Sequence, residues 1–237
     1  MTTYPRLKVC PHARNRGYGA ALKTGIRHAR SDSIAIIDAD LTYPATDLAR
    51  LIEEFLSRDT DMIVGSRLSS SPGRVRLREF TKYFLRRYSE WIVDREIPDL
   101  NSGLRVFRKS IAERYIGILP NGFSFTTTIT LASMSSFYDV RYQAVDYRVR
   151  AGKSKIQPIR DTLRFLNLII RAGLYFAPYR IFLPIGILCG IAAIVSGSYD
   201  FFIANDLSGK TLIFTLFSLN IVFFAILAEI IDRRSEN

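Results

Sequence analysis

The chain has 237 residues, with 33 Lys and Arg against 22 Asp and Glu, a formal charge of +11, two Cys and two His. Cys10 and Cys189 provide no disulfide framework and no zinc spacing. His12 and His28 are too few for a histidine metal cluster and read as ordinary surface or loop residues, so any chemistry rests on carboxylates, Arg and Lys. The length allows one or two domains. The charge fits either nucleic acid or an anionic membrane surface with a phosphorylated ligand.

In chain order, short apolar runs alternate with helical patterns. The start, "MTTYPRLKVC", lacks the apolar core of a signal peptide. "RLKVCPH" reads as a strand. "GAALKTGIRHAR" reads as a helix with Ala21, Leu22, Gly25, Ile26 and Ala29 on one face. "SIAIID" is a strand. "TDLARLIEEFLSR" is a helix through Leu48, Leu51, Ile52 and Phe55, with Thr46 or Asp47 as its cap and Pro44 at its approach. "DMIVGSR" is the next strand. This alternation predicts an α/β fold with a mostly parallel sheet and right-handed crossovers, in which ligands sit at the carboxyl ends of the strands. Asp38, Asp40 and Arg67 lie at such ends.

"RVRLREFTKYFLRRYSEWIVDR" is basic and amphipathic, with Leu77, Phe80, Phe84 and Tyr88 sharing a face near Trp91. It reads equally as a surface helix or as one lying at a membrane interface. "IRDTLRFLNLIIRAGLYFAPYR" leads into an apolar run, so there the interfacial reading is favoured. Ile181–Tyr199 and Thr211–Ala228 hold no charged residue. Each approaches the roughly 20 residues of a membrane-crossing helix. Arg160, Arg164, Arg171 and Arg180 precede the first run, Arg233 and Arg234 follow the second, and one Lys and two Asp lie between them. The positive-inside rule places both ends in the cytoplasm. The spans favour the membrane and phosphorylated-ligand reading of the charge over nucleic acid.

Four clusters bear on chemistry. Asp38 and Asp40 stand two apart, on one side of an extended segment. Two like charges there call for a cation, and hard oxygen ligands without His or Cys suit magnesium or manganese completed by water and phosphate. "PDLNSGLRVF" sets Asp99 and Arg105 around a small turn: either a structural salt bridge in a loop, or an acid or base beside a phosphate-binding arginine. "RVRAGKSK" carries four cations in eight residues: a solvated run, or a capture site for a lipid phosphate. "GYGAAL" is only half of a dinucleotide fingerprint, because Leu22 stands where the third glycine belongs. "GKS" at Gly152 resembles the tail of a phosphate loop, but Tyr147 occupies the place of its first glycine.

The ordered set "NRGYGAALKTGIRHA", "IIDADLTYP", "VGSR", "DLNSGLRVFRKS", "GFSFTTTITLA" and "YRVRAGKSKI" resembles glycosyltransferase family 2 over about Pro5 to Asp161. It is most similar to the polyprenyl-phosphate glycosyltransferases of the dolichyl-phosphate mannose synthase type, whose membrane-anchored members also carry C-terminal spans. The resemblance implies a GT-A-like domain over 1–157, an interfacial helix over 158–178 and a membrane hairpin over 179–237, with spans at about 181–200 and 211–231. It implies an inverting, metal-dependent transfer from a nucleotide-sugar donor to a polyprenyl-phosphate acceptor at the cytoplasmic membrane face. It points to no nucleic acid partner and leaves a homo-oligomer open.

By that resemblance Arg16 and Gly17 lie near the nucleotide, and Asp38 and Asp40 hold Mg2+ or Mn2+, Asp38 also touching the donor. Arg67 and Arg105 face phosphates. Asp99 is the base or acceptor-orienting carboxylate. Arg150, Ser154 and Lys155 close over a donor or acceptor phosphate. The chain opens at what resembles the family's third strand, and the family's earlier strands hold the nucleobase. The resemblance therefore also carries an alternative: a catalytically impaired remnant, or a partner subunit acting as a membrane-bound binding module.

Overall fold

A computed structural model describes residues 7–67, 76–122, 124–148, 170–171 and 173–235. The chain forms two compact units, one of residues 1–90 and 94–165, the other of 91–93 and 166–237.

The first unit runs α1 (Tyr18–His28), β1 (Ser33–Ile36), α2 (Ala45–Ser57), β2 (Met62–Ser66), α3 (Arg76–Val93, its last three residues counted with the second unit), β3 (Arg105–Arg108), α4 (Lys109–Tyr115), α5 (Phe125–Ser135) and β4 (Val140–Ala144). The sheet order is β1-β3-β2-β4. β1 and β2 run the same way and β4 pairs parallel to β2, as strand–helix alternation predicts. β3 lies between β1 and β2 and is antiparallel to both, so the sheet is mixed. The expected first strand is not formed. Residues 7–12 hold no ladder partner among the described residues, and Leu7 and Val9 are exposed.

β2 is buried at every position because it lies between β3 and β4. Leu51 and Phe55 of α2 pack with Ile63, Leu104 and Val106 to make the core on one face. Successive strand residues point to opposite faces. Val106 therefore faces α2, and Arg105 turns to the other face, where its guanidinium reaches α5. This alternation places a cation inside the domain.

Local details depart from the expected ones. α1 buries Gly19, Ala20 and Ile26, while Ala21 and Gly25 stay exposed. The N-cap of α2 is Pro44, with no side-chain cap. Asp47 turns inward instead, accepting from the Asp146 amide at 2.8 Å and from Arg50 Nη2 at 2.9 Å. In α3, Leu85 and Ser89 are buried, while Phe84, assigned by spacing to the apolar face, and Trp91, placed near it, are exposed.

The second unit contains α6 (Pro178–Tyr199), a π turn (Asp200–Ala204) and α7 (Gly209–Ser235). Pro178–Ala204 and Gly209–Ile231 are each long and apolar enough to cross a membrane, and few of their residues are buried in protein. The two arms meet closely at Gly186, where a Cβ would stand 2.8 Å from Val222 Cγ2. The turn is tied by Asp200 Oδ2, which accepts from the Ser208 amide (2.9 Å), Ser208 Oγ (2.6 Å) and Thr211 Oγ1 (2.6 Å). Residues 158–169 of the expected interfacial helix lie outside the described residues.

Candidate active site

Asp38 follows β1 by two residues. Its Oδ1 accepts a hydrogen bond from Tyr18 Oη at 3.1 Å, a contact the sequence reading missed. Burial and the Asp38 charge push the Tyr18 hydroxyl well above its usual range, so it remains a donor. On its other side the carboxylate rests on Gly103, where a Cβ would stand 2.0 Å from Oδ2. Only glycine admits that approach.

Asp40 lies in a turn and not in an extended strand, so strand alternation does not set its direction. Its Oδ1 accepts from the Thr42 amide (3.2 Å) and from Thr42 Oγ1 (2.6 Å). These bonds span Leu41, whose φ of 61° is left-handed. The Thr42 carbonyl in turn accepts from the Arg148 amide at 2.9 Å. The Asp40 turn is thus tied to the start of the basic "RVRAGKSK" segment. Arg150, Ser154 and Lys155 themselves lie outside the described residues.

Arg67 and Asp99 form a two-pronged ion pair, Nε to Oδ2 at 2.7 Å and Nη2 to Oδ1 at 2.8 Å. The Arg67 amide adds a third bond to Oδ2 at 3.2 Å. Tyr147 lies under the guanidinium, 5.2 Å from ring centre to Cζ. Burial alone would raise the Asp99 carboxyl. The Arg67 bonds and charge, with the Arg67 and Asn101 amides, outweigh it and hold the carboxyl below its ordinary range. The same pair outweighs the burial of Arg67 and holds its guanidinium above its usual value.

Arg105, expected to face phosphate, is instead fully buried. Nη2 donates to the Ser102 carbonyl at 2.6 Å, and Nη1 donates to the Thr126 carbonyl and to Thr130 Oγ1, each at 3.0 Å. Ser102 and Gly103 are gripped from α2's side as well, by Tyr43 Oη, at 3.1 Å from both Ser102 Oγ and the Gly103 amide. Thr127 Oγ1 donates to Asn101 Oδ1 at 2.7 Å. The turn from Asp99 to Gly103 is therefore anchored along its length. It carries one carboxylate and seats the other.

Gly17 has a φ of 98°, and a Cβ there would lie 2.4 Å from the Asn121 carbonyl. The first amides of α1 are already used: Gly19 donates to Gly122 and Ala20 to Asn121. Gly17 thus admits the 121–122 turn. Arg16 is exposed and lines a cleft of about 600 Å³ with Lys8 and Arg14, and no carboxylate among the described residues lines it. His12 and His28 also line it, both bonded to Thr24, which gives them structural partners.

Asp38 and Asp40 offer hard oxygen donors, and no third His, Cys, Asp or Glu joins them among the described residues. That donor set fits a magnesium or manganese ion that completes its shell with water and diphosphate oxygens.

The domain thus sets a mixed sheet between α2 and α5, with two aspartates beyond β1 and a third on the turn before β3. Residues 1–116 match glycosyl transferase family 2, and residues 177–233 match the GtrB C-terminal hairpin. Over those two stretches the chain is similar to a family 2 glycosyltransferase domain and to a hairpin of the GtrB type. It is 27% identical over 214 residues to a low-salt glycan biosynthesis hexosyltransferase, Agl6, of Haloferax volcanii, covering 86% of this chain and 52% of that protein. It is 24% identical over 255 residues to the dodecaprenyl-phosphate galacturonate synthase of Rhizobium johnstonii, covering 96% and 70%. The dolichol-phosphate mannosyltransferase of Pyrococcus furiosus is 26% identical over 161 residues, covering 65% and 44%. The chain thus spans about half the length of the Haloferax protein. Glucosyl-3-phosphoglycerate synthase of Mycobacterium tuberculosis, crystallised with Mn2+, UDP and phosphoglyceric acid, superposes with a TM-score of 0.50 at 14% identity. That match covers 72% of this chain and 55% of the other, and it shows the GT-A fold.

Proposed function

We propose that this chain transfers a sugar from a nucleotide-sugar donor to a polyprenyl phosphate, with inversion, at the cytoplasmic face of a membrane. The observation that carries the reading is the anchored turn from Asp99 to Gly103, which holds Asp99 ionised against Arg67 and seats Asp38. Relatives named for dodecaprenyl-phosphate and dolichol-phosphate transfer support the acceptor class, and the two apolar helices support a membrane location.

In this reading Asp38 and Asp40 hold Mg2+ or Mn2+, as the neighbour crystallised with Mn2+ and UDP supports. When bound, the ion neutralises charge developing on the leaving diphosphate. Arg16, in the cleft it lines with Lys8 and Arg14, attracts the nucleotide end of the donor. Gly17 shapes that end through the backbone. Asp99, held ionised, orients the acceptor. A lipid phosphate is itself ionised near neutral pH, so little proton abstraction is required of Asp99. Arg67 supplies charge to phosphate from its place on Asp99. Arg150, Ser154 and Lys155 follow directly on the segment tied to the Asp40 turn, and they cover the acceptor phosphate. Residues 1–157 form the transferase domain, 158–178 an interfacial helix and 179–237 the membrane hairpin.

The test is to incubate membranes containing the full chain with labelled nucleotide sugars, polyprenyl phosphate and Mg2+ or Mn2+. Formation of a lipid-linked sugar, lost with EDTA and in Asp40→Ala, is expected. Absence of product with every donor, or equal activity in Asp40→Ala, would sink the reading.

A further inference from the structure

We infer that Arg105 is a positioning residue for both carboxylates: it never meets substrate, and from inside the domain it fixes the Ser102–Gly103 turn on which Asp38 rests and from which Asp99 projects. The inference rests on the sugar-transfer reading and gives its site a rear wall that neither the family match nor the relatives' names assign.

Three facts carry it. Arg105 has no exposed surface, so contact with a phosphate would require the domain to open. Its guanidinium joins two pieces of backbone, the Ser102 carbonyl on the turn and the Thr126 carbonyl on α5, with Thr130 Oγ1 as a further acceptor. The turn it grips abuts Asp38 at Gly103 and carries Asp99, whose Oδ1 also accepts from the Asn101 amide at 3.2 Å. Asn101 is held separately by Thr127. Two neighbouring residues on one face of α5 thus hold the turn, one directly and one through Arg105.

Guanidinium suits this task because its planar fork serves several carbonyls at fixed angles. A lysine keeps the charge at a single point and cannot reproduce the fork. Groups that orient metal ligands from behind change metal affinity by about 10- to 100-fold when removed. A phosphate-binding arginine would leave metal affinity unchanged.

The experiment compares the full chain in detergent with Arg105→Lys, Arg105→Gln, Thr130→Val and Thr127→Val. Mn2+ binding is read from the loss of the free-ion paramagnetic resonance signal, and hydrogen exchange is read over residues 99–104. Each Arg105 variant is expected to weaken Mn2+ binding about tenfold or more and to speed exchange in the turn, with the cooperative melt retained. The threonine variants do the same to a smaller degree. Arg105→Lys combined with Asp38→Asn is expected to bind Mn2+ no worse than Asp38→Asn alone. Wild-type Mn2+ affinity and unchanged exchange in Arg105→Lys, with loss only of nucleoside diphosphate binding, would overturn the inference. Should the Arg105 variants fail to fold, wild-type values in both threonine variants would overturn it as well. If the unaltered chain binds no Mn2+, the metal reading falls. The positioning role then stands on faster exchange in the variants and falls without it.

Discussion

Arg67 and Asp99 hold each other by two side-chain bonds and by a third from Arg67's own amide. The pair is mostly buried, with 11% of the Asp99 side chain exposed. Asp99→Asn therefore leaves a guanidinium without its countercharge, at a cost of about 2–3 kcal/mol. The folded-state carboxyl is depressed relative to the unfolded chain, which titrates near about 3.9. Its contribution is complete above that value and is lost as pH falls through the lower folded value. Thermal melts of wild type and Asp99→Asn from neutral to acid pH are expected to differ by a constant amount down to about pH 4 and then converge. A constant difference into strong acid would contradict the assignment.

Gly103 gives the sharpest mutational test. Its missing Cβ is the space that the Asp38 carboxylate occupies. Gly103→Ala is expected to displace Asp38 and to reduce transfer about a hundredfold, with weakened Mn2+ binding. The melting temperature should move far less than it does for a core truncation such as Leu51→Ala. Assays of initial rate and of metal affinity on the same preparation check this.

Tyr18→Phe removes one hydroxyl and leaves the ring. Loss of its bond to Asp38 is expected to cost about 0.5–1.5 kcal/mol in whichever step depends on that carboxylate's direction. The effect should therefore be a few-fold to about tenfold in rate. It should vanish in an Asp38→Asn background if Tyr18 acts through Asp38, which a double-mutant cycle measures.

In the hairpin, Asp200→Ala removes the acceptor of the Ser208 amide, Ser208 Oγ and Thr211 Oγ1; Thr211 Oγ1 keeps Ser196 Oγ at 2.7 Å, and the Ser208 amide is left without its acceptor. About 2 kcal/mol or more of hairpin stability is expected to be lost. Thr211→Val should lose less, because it leaves the Ser208 bonds in place. Denaturant titration in detergent micelles, followed by α7-specific hydrogen exchange, orders the two variants.

The helices with strong apolar spacing were legible in the sequence, and so was β2, whose apolar run matches a strand buried on both faces. The two apolar runs match helices long enough to cross a membrane, and the motif order matched the family. What escaped was set by the rest of the fold. β3 lies in a stretch that reads as a turn or loop around Asp99 and Arg105, and nothing local says that a strand there inserts antiparallel between β1 and β2. Residues 7–12 have strand-like alternation, but a strand needs a partner's hydrogen bonds. Asp47 carries a cap signature, yet the Asp146 amide captures it from 99 residues away. Arg105 misled for a chemical reason: arginine beside glycine and serine usually marks a ligand, whereas here the anchor is the protein's own backbone. The Tyr18–Asp38 bond had one signal, a tyrosine directly after Gly17, and spacing could not aim it.

Helix α5 is buried along nearly its whole length although it carries four threonines and two serines. Three of these hydroxyls turn back to their own helix, Thr128 to Ser124, Thr130 to Thr126 and Ser133 to Ile129. Asn101 supplies a partner for Thr127, and the helix itself supplies partners for three of its own hydroxyls. It also leaves oxygen atoms facing Arg105 on the side where a hydration shell would otherwise lie. In that sense α5 is the solvent of Arg105. Replacing Thr130 with valine, of nearly the same shape, would keep the packing and remove one of the two oxygens that α5 offers the cation, leaving the Thr126 carbonyl.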